Sequence, residues 1–305
     1  MRGAVKPIED RRLLGIGLSL FGFFCFCVTD SCAKWLTLRG MPTIEVVFIR
    51  YFGQFVIICA LALPHAPRAI LTTRRPWLEV ARGLALLGST LGNFFALTFI
   101  PLTITASIGF TMPLILCALS IPFLGEKVGW RRWVAIVVGF IGVLIIVRPG
   151  TDAFHPAMLL SLVAVTFSAF YFLLTRKLAG VDSTNTQQFY AAAVATACLV
   201  PFAFGGWVWP EGLEQWIPFI LIGAAATLGH QAIVTAHRFA PASTLAPFNY
   251  SLIVYMTISS WFVFGQPPDG WVFLGAPIVI ASGVYIWWRE RQLSKSVAAD
   301  ALSGD

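Results

Sequence analysis

The chain alternates between long apolar runs and short polar breaks. The runs cover residues 13–37, 44–64, 77–99, 103–124, 131–148, 156–175, 187–206, 215–236, 241–263 and 271–288. Charged, Pro-rich or Gly-rich turns separate them. A membrane-crossing helix needs about 20 mostly apolar residues. The pattern therefore predicts an all-α polytopic membrane protein with ten transmembrane helices. Tight joins are expected at Pro101, between the third and fourth helices, and at Pro241, between the eighth and ninth.

Composition narrows the class. Only 11% of residues are charged and 58% are hydrophobic, against about 25% charged in a soluble domain. Lipid must cover so much apolar surface. Ten spans consume about 200 residues, which leaves no room for a large soluble domain. Arg2, Lys6, Arg11 and Arg12 precede the first run. That run is too long for a signal peptide and lacks an A-x-A cleavage site, so it reads as a retained helix. The six cysteines, Cys25, Cys27, Cys32, Cys59, Cys117 and Cys198, lie in or beside apolar runs without metal-ligand spacing. They read as buried core residues; no metal, cofactor or disulfide is expected. The net charge of +7 is dispersed among loops, which argues against nucleic acid.

Charge placement orients the chain. With the N-terminus in the cytoplasm, sixteen Lys and Arg fall on that side, and only Lys34, Arg39 and Arg148 on the other. Arg50 and Arg82 lie within spans. The positive-inside rule then gives an even number of spans with both termini cytoplasmic. All eleven Trp fall near predicted helix ends, as expected of interfacial anchors.

The halves echo each other at an offset of about 140 residues. Leu18-Ser19-Leu20 matches Leu160-Ser161-Leu162, and Thr90-Leu91-Gly92-Asn93 matches Thr227-Leu228-Gly229-His230. Residues 96–101 match 236–241, Phe123-Leu124-Gly125-Glu126 matches Val263-Phe264-Gly265-Gln266, and Gly142-Val143 matches Gly283-Val284. Five helices per half is an odd number, so the second half enters from the opposite side. The result is two inverted five-helix repeats, an arrangement associated with secondary transporters. A duplication that serves only as a scaffold is the plain alternative.

This organisation resembles the drug/metabolite transporter superfamily, in its ten-helix EamA form. The carrying residues are Phe123-Leu124-Gly125-Glu126 with Gly139-x-x-Gly142, then Phe264-Gly265-Gln266 with Gly275 and Gly283. Gln266 replaces the acid usual at that turn, and Ile253 stands at the repeat position of Pro113. The first half also looks like bacterial members that move riboflavin or S-adenosylmethionine. The resemblance implies a cytoplasmic tail over 1–12, repeats over 13–150 and 151–290, a cytoplasmic tail over 291–305, and residence in a bacterial inner membrane. A homodimer stays open.

Charged groups inside spans are costly and often functional. Asp30 and Lys34 share a helix face, with Glu45 and Arg50 in the next helix. They suggest an outer gating network in which Asp30 pairs with Lys34 or Arg50; a static ion pair at the interface is the plain reading. Glu79 and Arg82 read as an anchor to the cytoplasmic interface. Asp30, Glu45 and His230 are the titratable groups expected to serve any proton coupling. For substrate contact the candidates are Asn93, Phe110, Thr111, Ser168, Tyr171, His230, Gln231, Asn249 and Tyr250. The resemblance implies that helices one, three, four, six, eight and nine surround the cavity. Carried onto these positions, it gives an aromatic, amide-rich pocket nearly free of charge, suited to a flat or partly apolar solute.

No H-E-x-x-H pair, G-x-S-x-G elbow or Walker A sequence occurs, so an enzyme is not expected. The expectation is secondary-active transport of a small organic metabolite by alternating access, with uptake of riboflavin or a related heteroaromatic compound as first choice. Export of amino acids or drugs is the alternative, and a structural or sensory membrane protein the alternative of another class.

Overall fold

The computed structural model describes residues 11–62, 70–124, 130–178, 181–240 and 245–302 of the 305-residue chain. The expected join at Pro241, the Gly125-Glu126 turn and the first ten residues lie outside the described residues. All regular structure among the described residues is helical. The helices are α1 (Arg12–Leu38), α2 (Thr43–Ala62), α3 (Pro76–Phe99), α4 (Leu102–Gly109), α5 (Met112–Leu124), α6 (Trp130–Val147), α7 (Ala157–Leu178), α8 (Thr184–Ala203), α9 (Leu213–Phe239), α10 (Ser251–Phe262) and α11 (Gly270–Leu302). A 3₁₀ turn, Ala246–Tyr250, precedes α10.

Seven helical stretches among the described residues are long and apolar enough to cross a membrane: Arg12–Leu38, Thr43–Leu61, Pro76–Phe99, Leu102–Leu119, Ala157–Thr175, Leu213–Phe239 and Gly270–Arg289. Trp133–Val147 is a shorter apolar helix. The expected count of ten is thus not reproduced by length and apolarity. The physical reasons are local. α8 opens on the polar stretch Thr184-Asn185-Thr186-Gln187-Gln188, and α10 is only 12 residues long.

Local chemistry sets the helix ends. Pro76 occupies the first turn of α3, where its missing N–H costs nothing. The Ser183 hydroxyl accepts the Thr186 N–H at 3.1 Å and caps α8. The run expected as one helix over 103–124 is broken at Phe110-Thr111. Pro113 has no N–H to offer the carbonyl of Gly109, four residues earlier. The 3₁₀ turn at Ala246–Tyr250 interrupts the second half at the corresponding repeat position. The two breaks meet: the rings of Phe110 and Tyr250 lie 5.1 Å apart.

Packing follows the repeat. α1 lies along α9, and α3 along α7, the same pair with the halves exchanged. Likewise α2 on α9 corresponds to α8 on α3. The pairs α2–α8 and α6–α11 map onto themselves. Missing Cβ atoms permit the closest approaches. A Cβ on Gly223 of α9 would lie 2.9 Å from the Gly53 Cα of α2, and one on Gly275 of α11 would lie 2.6 Å from the Gly142 carbonyl oxygen of α6. Gly88 and Gly92 admit Phe167 and Ala164 of α7 in the same way. The outward surface is apolar, with Val134, Val137, Phe140, Ile141 and Leu144 of α6 exposed, as lipid contact requires.

Gly223→Ala should destabilise the protein by about 1–3 kcal/mol, because backbone must move to admit the methyl group. At Gly17 a Cβ meets nothing, so Gly17→Ala should be neutral or stabilising by about 0.4–1 kcal/mol. Thermal unfolding of the two purified variants in one detergent checks the contrast.

Candidate functional site

Five helices bring polar side chains to one small internal hollow. Gln54 comes from α2, Arg82 and Leu86 from α3, Tyr171 from α7, Gln188 and Ala191 from α8, and His230 from α9. Arg82 is buried and organises the group. Its Nε donates to Thr175 Oγ1 at 2.7 Å, its Nη1 to the Gln187 carbonyl at 2.7 Å, and its Nη2 to the Tyr171 hydroxyl at 2.8 Å. The guanidinium also lies 4.5 Å over the Tyr171 ring. A planar fork with several fixed donors suits such a junction better than an ammonium would. The Gln54 oxygen is buried without a hydrogen-bond donor, and the His230 ring meets Phe26 edge-on at 4.9 Å. The cavity volume is about 10 Å³, far below the roughly 300–1,000 Å³ of ordinary ligand pockets. This conformation is therefore shut, and a metabolite-sized solute would have to part the helices.

The candidates named from the sequence divide. Tyr171 and His230 line the hollow. Nearby, the Ser168 hydroxyl bonds that of Ser89 at 2.6 Å, tying α7 to α3. Asn93 donates to Asp30 at 3.3 Å, tying α3 to α1. Gln231 is exposed and accepts from Gln188 at 3.4 Å. Phe110 and Tyr250 meet at the two helix breaks, and the Tyr250 hydroxyl donates to the Ile280 carbonyl at 3.4 Å. Thr111 spends its hydroxyl on the Ile108 carbonyl at 2.7 Å, and Asn249 is exposed. The hollow therefore draws on α2 and α8, which the expected cavity omitted. It is also not free of charge, because Arg82 lines it.

Direct ion pairs of the expected outer network are not formed, although the Arg50 charge acts on Asp30. No Lys or Arg nitrogen among the described residues pairs with Asp30. Lys34 is buried, and its Nζ donates to the Ile100 carbonyl at 2.7 Å while lying 5.5 Å from the centre of the Phe264 ring. Arg50 stacks on Tyr51 at 4.4 Å, with Nη1 buried and unbonded. Glu45 accepts the Val208 N–H at 3.0 Å. Sharing a helix face does not make Asp30 and Lys34 partners, because a carbonyl at the end of α3 competes for the ammonium. Among the described residues, the ion pairs at that end of the bundle are Arg39–Glu214, at 2.6 Å, and Arg148–Asp269. Nor is Arg82 an interfacial anchor. It is 3% exposed, and Glu79 beside it is wholly buried.

The family model for EamA-like transporters matches residues 13–148 and again 155–288. The chain belongs to the EamA-like transporter family. It is accordingly a multi-pass membrane transporter and not an enzyme. An S-adenosylmethionine uptake transporter of Rickettsia felis is 30% identical over 280 residues, covering 92% of this chain and 94% of that protein. A riboflavin transporter of Vibrio cholerae is 31% identical over 290 residues, covering 94% and 97%. A solved crystal structure, 17% identical, superposes with a TM-score of 0.59 over 91% of this chain and 98% of its own, which supports the fold.

Within this EamA-like frame, the residues missed by sequence reasoning are Gln54, Arg82 and Gln188. Gln54 and Arg82 are polar side chains inside apolar runs, a signal present in the sequence, and Gln188 closes the polar stretch that opens α8. Arg82 was set aside because it stands near a helix start. A double-mutant cycle on Ser89→Ala and Ser168→Ala should give a coupling of about 0.6–1.7 kcal/mol. Strictly additive losses in thermal unfolding would mean that the two hydroxyls do not bond.

Proposed function

We propose that this EamA-like transporter carries a small heteroaromatic metabolite into the cell by alternating access, with riboflavin and S-adenosylmethionine as the two solutes to test. The observation that carries the reading is the shut hollow around Arg82, Tyr171, Gln188, Gln54 and His230. It supplies a fixed cation, an aromatic face and several amide or hydroxyl groups. An Arg fork can hold a carboxylate in bidentate fashion. It can also donate to the paired carbonyls of a flavin ring. Tyr171 and His230 offer ring faces to a flat solute.

The charged centre changes the ranking made from sequence. A neutral flavin uses only part of it. S-Adenosylmethionine carries a carboxylate, cationic groups and a heteroaromatic base, so Arg82 and Asp30 give it complementary partners. The relatives named for these two solutes support both candidates, and the uptake named for the Rickettsia protein supports the inward direction.

In this reading ten spans form two inverted repeats in a bacterial inner membrane, with both termini cytoplasmic. The exchanged packing of α1–α9 and α3–α7 supports the repeat, and the charge asymmetry supports the orientation. The site comprises the hollow and its borders: Asn93 and Ser168 with their partners, and the Phe110–Tyr250 contact at the helix breaks. Lys34 on the Ile100 carbonyl closes the outer end.

Counterflow in proteoliposomes tests the proposal. Saturable exchange of radiolabelled S-adenosylmethionine or of riboflavin is expected. Tyr171→Phe, which removes the hydroxyl bonded to Arg82, should raise KM by about 5–10-fold, corresponding to a lost hydrogen bond of about 1–1.5 kcal/mol. Linear, non-saturating flux would point to a channel, and no flux of either solute would reject both candidates.

A further inference from the structure

Glu79 is the charged group the transport reading leaves unused. It lies in the first turn of α3, wholly buried, and neither carboxylate oxygen receives a hydrogen bond. Its near neighbours are Arg82, whose Nη1 is 3.6 Å away, and the carboxyl of Asp182, a hydrogen-bonding neighbour in the turn before α8. Asp182 differs from Glu79 in two ways. It is only part-buried, and it already accepts the Thr73 hydroxyl at 2.6 Å and the Arg74 N–H at 3.3 Å. It also lines an open surface hollow with Thr72, Thr73, Arg74, Val181, Ser183 and Thr186. A continuous path therefore runs from solvent through Asp182, Glu79 and Arg82 to Tyr171 and the inner hollow.

We propose that Glu79 and Asp182 form a proton-binding carboxyl pair that couples proton movement to solute binding at Arg82; the coupling rests on the transport reading above. Two carboxylates in contact cannot both stay ionised at low cost. One guanidinium balances one of the two negative charges, so a single proton neutralises the cluster. Hydrogen bonds given by Thr73 and Arg74 hold Asp182 as the acceptor. Glu79, which receives none, takes the proton and donates it to Asp182. The step forms one O–H bond on Glu79 and breaks one in a hydronium ion at the surface hollow, which leaves as water. Once Glu79 is neutral, the Arg82 charge is free to meet an anionic group of the solute. Loss of the proton draws Arg82 back to Glu79. Proton and solute therefore bind better together, and by linkage each raises the affinity of the other.

The other groups facing this cluster are Tyr171 and Thr175 from α7 and Gln187 from α8, all on Arg82, with Arg50 and His230 farther across the inner hollow. The arrangement favours a proton over a metal ion, because Arg82 already supplies a cation at 3.6 Å.

Infrared spectroscopy of the purified full chain tests the pair without any solute. A protonated carboxylic acid has a carbonyl stretch that an ionised carboxylate lacks. The wild type should show this band, losing it as pH is raised. Glu79→Gln should abolish it, and Asp182→Asn, the variant that spares the buried position, should weaken it and move its loss to lower pH, because only one carboxylate then faces Arg82. In weakly buffered solution, saturating S-adenosylmethionine, which carries the carboxylate that Arg82 would meet, should draw protons from the medium with the wild type and not with Glu79→Gln. A wild-type protein without the band, or a band unchanged in both variants, overturns the pair. So does a wild-type melting temperature that rises with sodium and not with acid. A band that behaves as expected, with equal proton uptake in wild type and Glu79→Gln, overturns the coupling while leaving solute transport intact.

Discussion

Arg82 is a permanent cation with no water to solvate it, and the centre of the molecule is built around meeting its needs. Within a bilayer each unsatisfied polar group is costly, so partners must come from the protein itself. Thr175, Tyr171 and the Gln187 carbonyl supply them from two helices. The same bonds lock α3 to α7 and α8. A guanidinium held this way is a junction that can be re-made only in discrete steps. If a solute group bonds the guanidinium and shifts it, α7 would follow through the Tyr171 bond, and binding would become movement.

In the proposed cycle the second half of the chain would turn that local step into a change at both ends. α1 against α9 and α3 against α7 are equivalent interfaces with the halves exchanged. Each is lined by glycines that admit the opposite helix closely: Gly22 and Gly229 in one, Gly88 and Gly92 in the other. Equivalent interfaces can trade conformations at little net cost. At one end the Lys34 bond to the Ile100 carbonyl is a contact that such a trade would break. The breaks at Phe110-Thr111 and Ala246–Tyr250, in contact through their rings, stand where the two halves would bend.

Much of this was legible in the sequence. Apolar runs mark helices because lipid and core both demand apolar side chains, and the 140-residue echo leads to the packing symmetry. The helix break at Phe110 was less legible, since Pro113 sits inside an otherwise unbroken apolar run. Side-chain partners were the least legible. Spacing placed Asp30 and Lys34 on one face, yet Lys34 bonds a carbonyl 66 residues away in sequence. Arg82 was discounted because distance along the chain from a helix start is a poor measure of burial. α8 covers that end of α3, and no local pattern announces it.

The central claim is that the two ends open in alternation around the Arg82 hollow. The most direct measurement is the distance between paired spin labels in proteoliposomes, by double electron–electron resonance, with and without saturating solute. One pair replaces Leu38 and Phe99, exposed at the ends of α1 and α3. The other replaces Lys177 and His237, exposed at the ends of α7 and α9, which lie within one turn of the corresponding positions of the second half. The account predicts that solute changes the two distances in opposite directions, one lengthening as the other shortens. Distances that stay fixed, or that lengthen together, would contradict it.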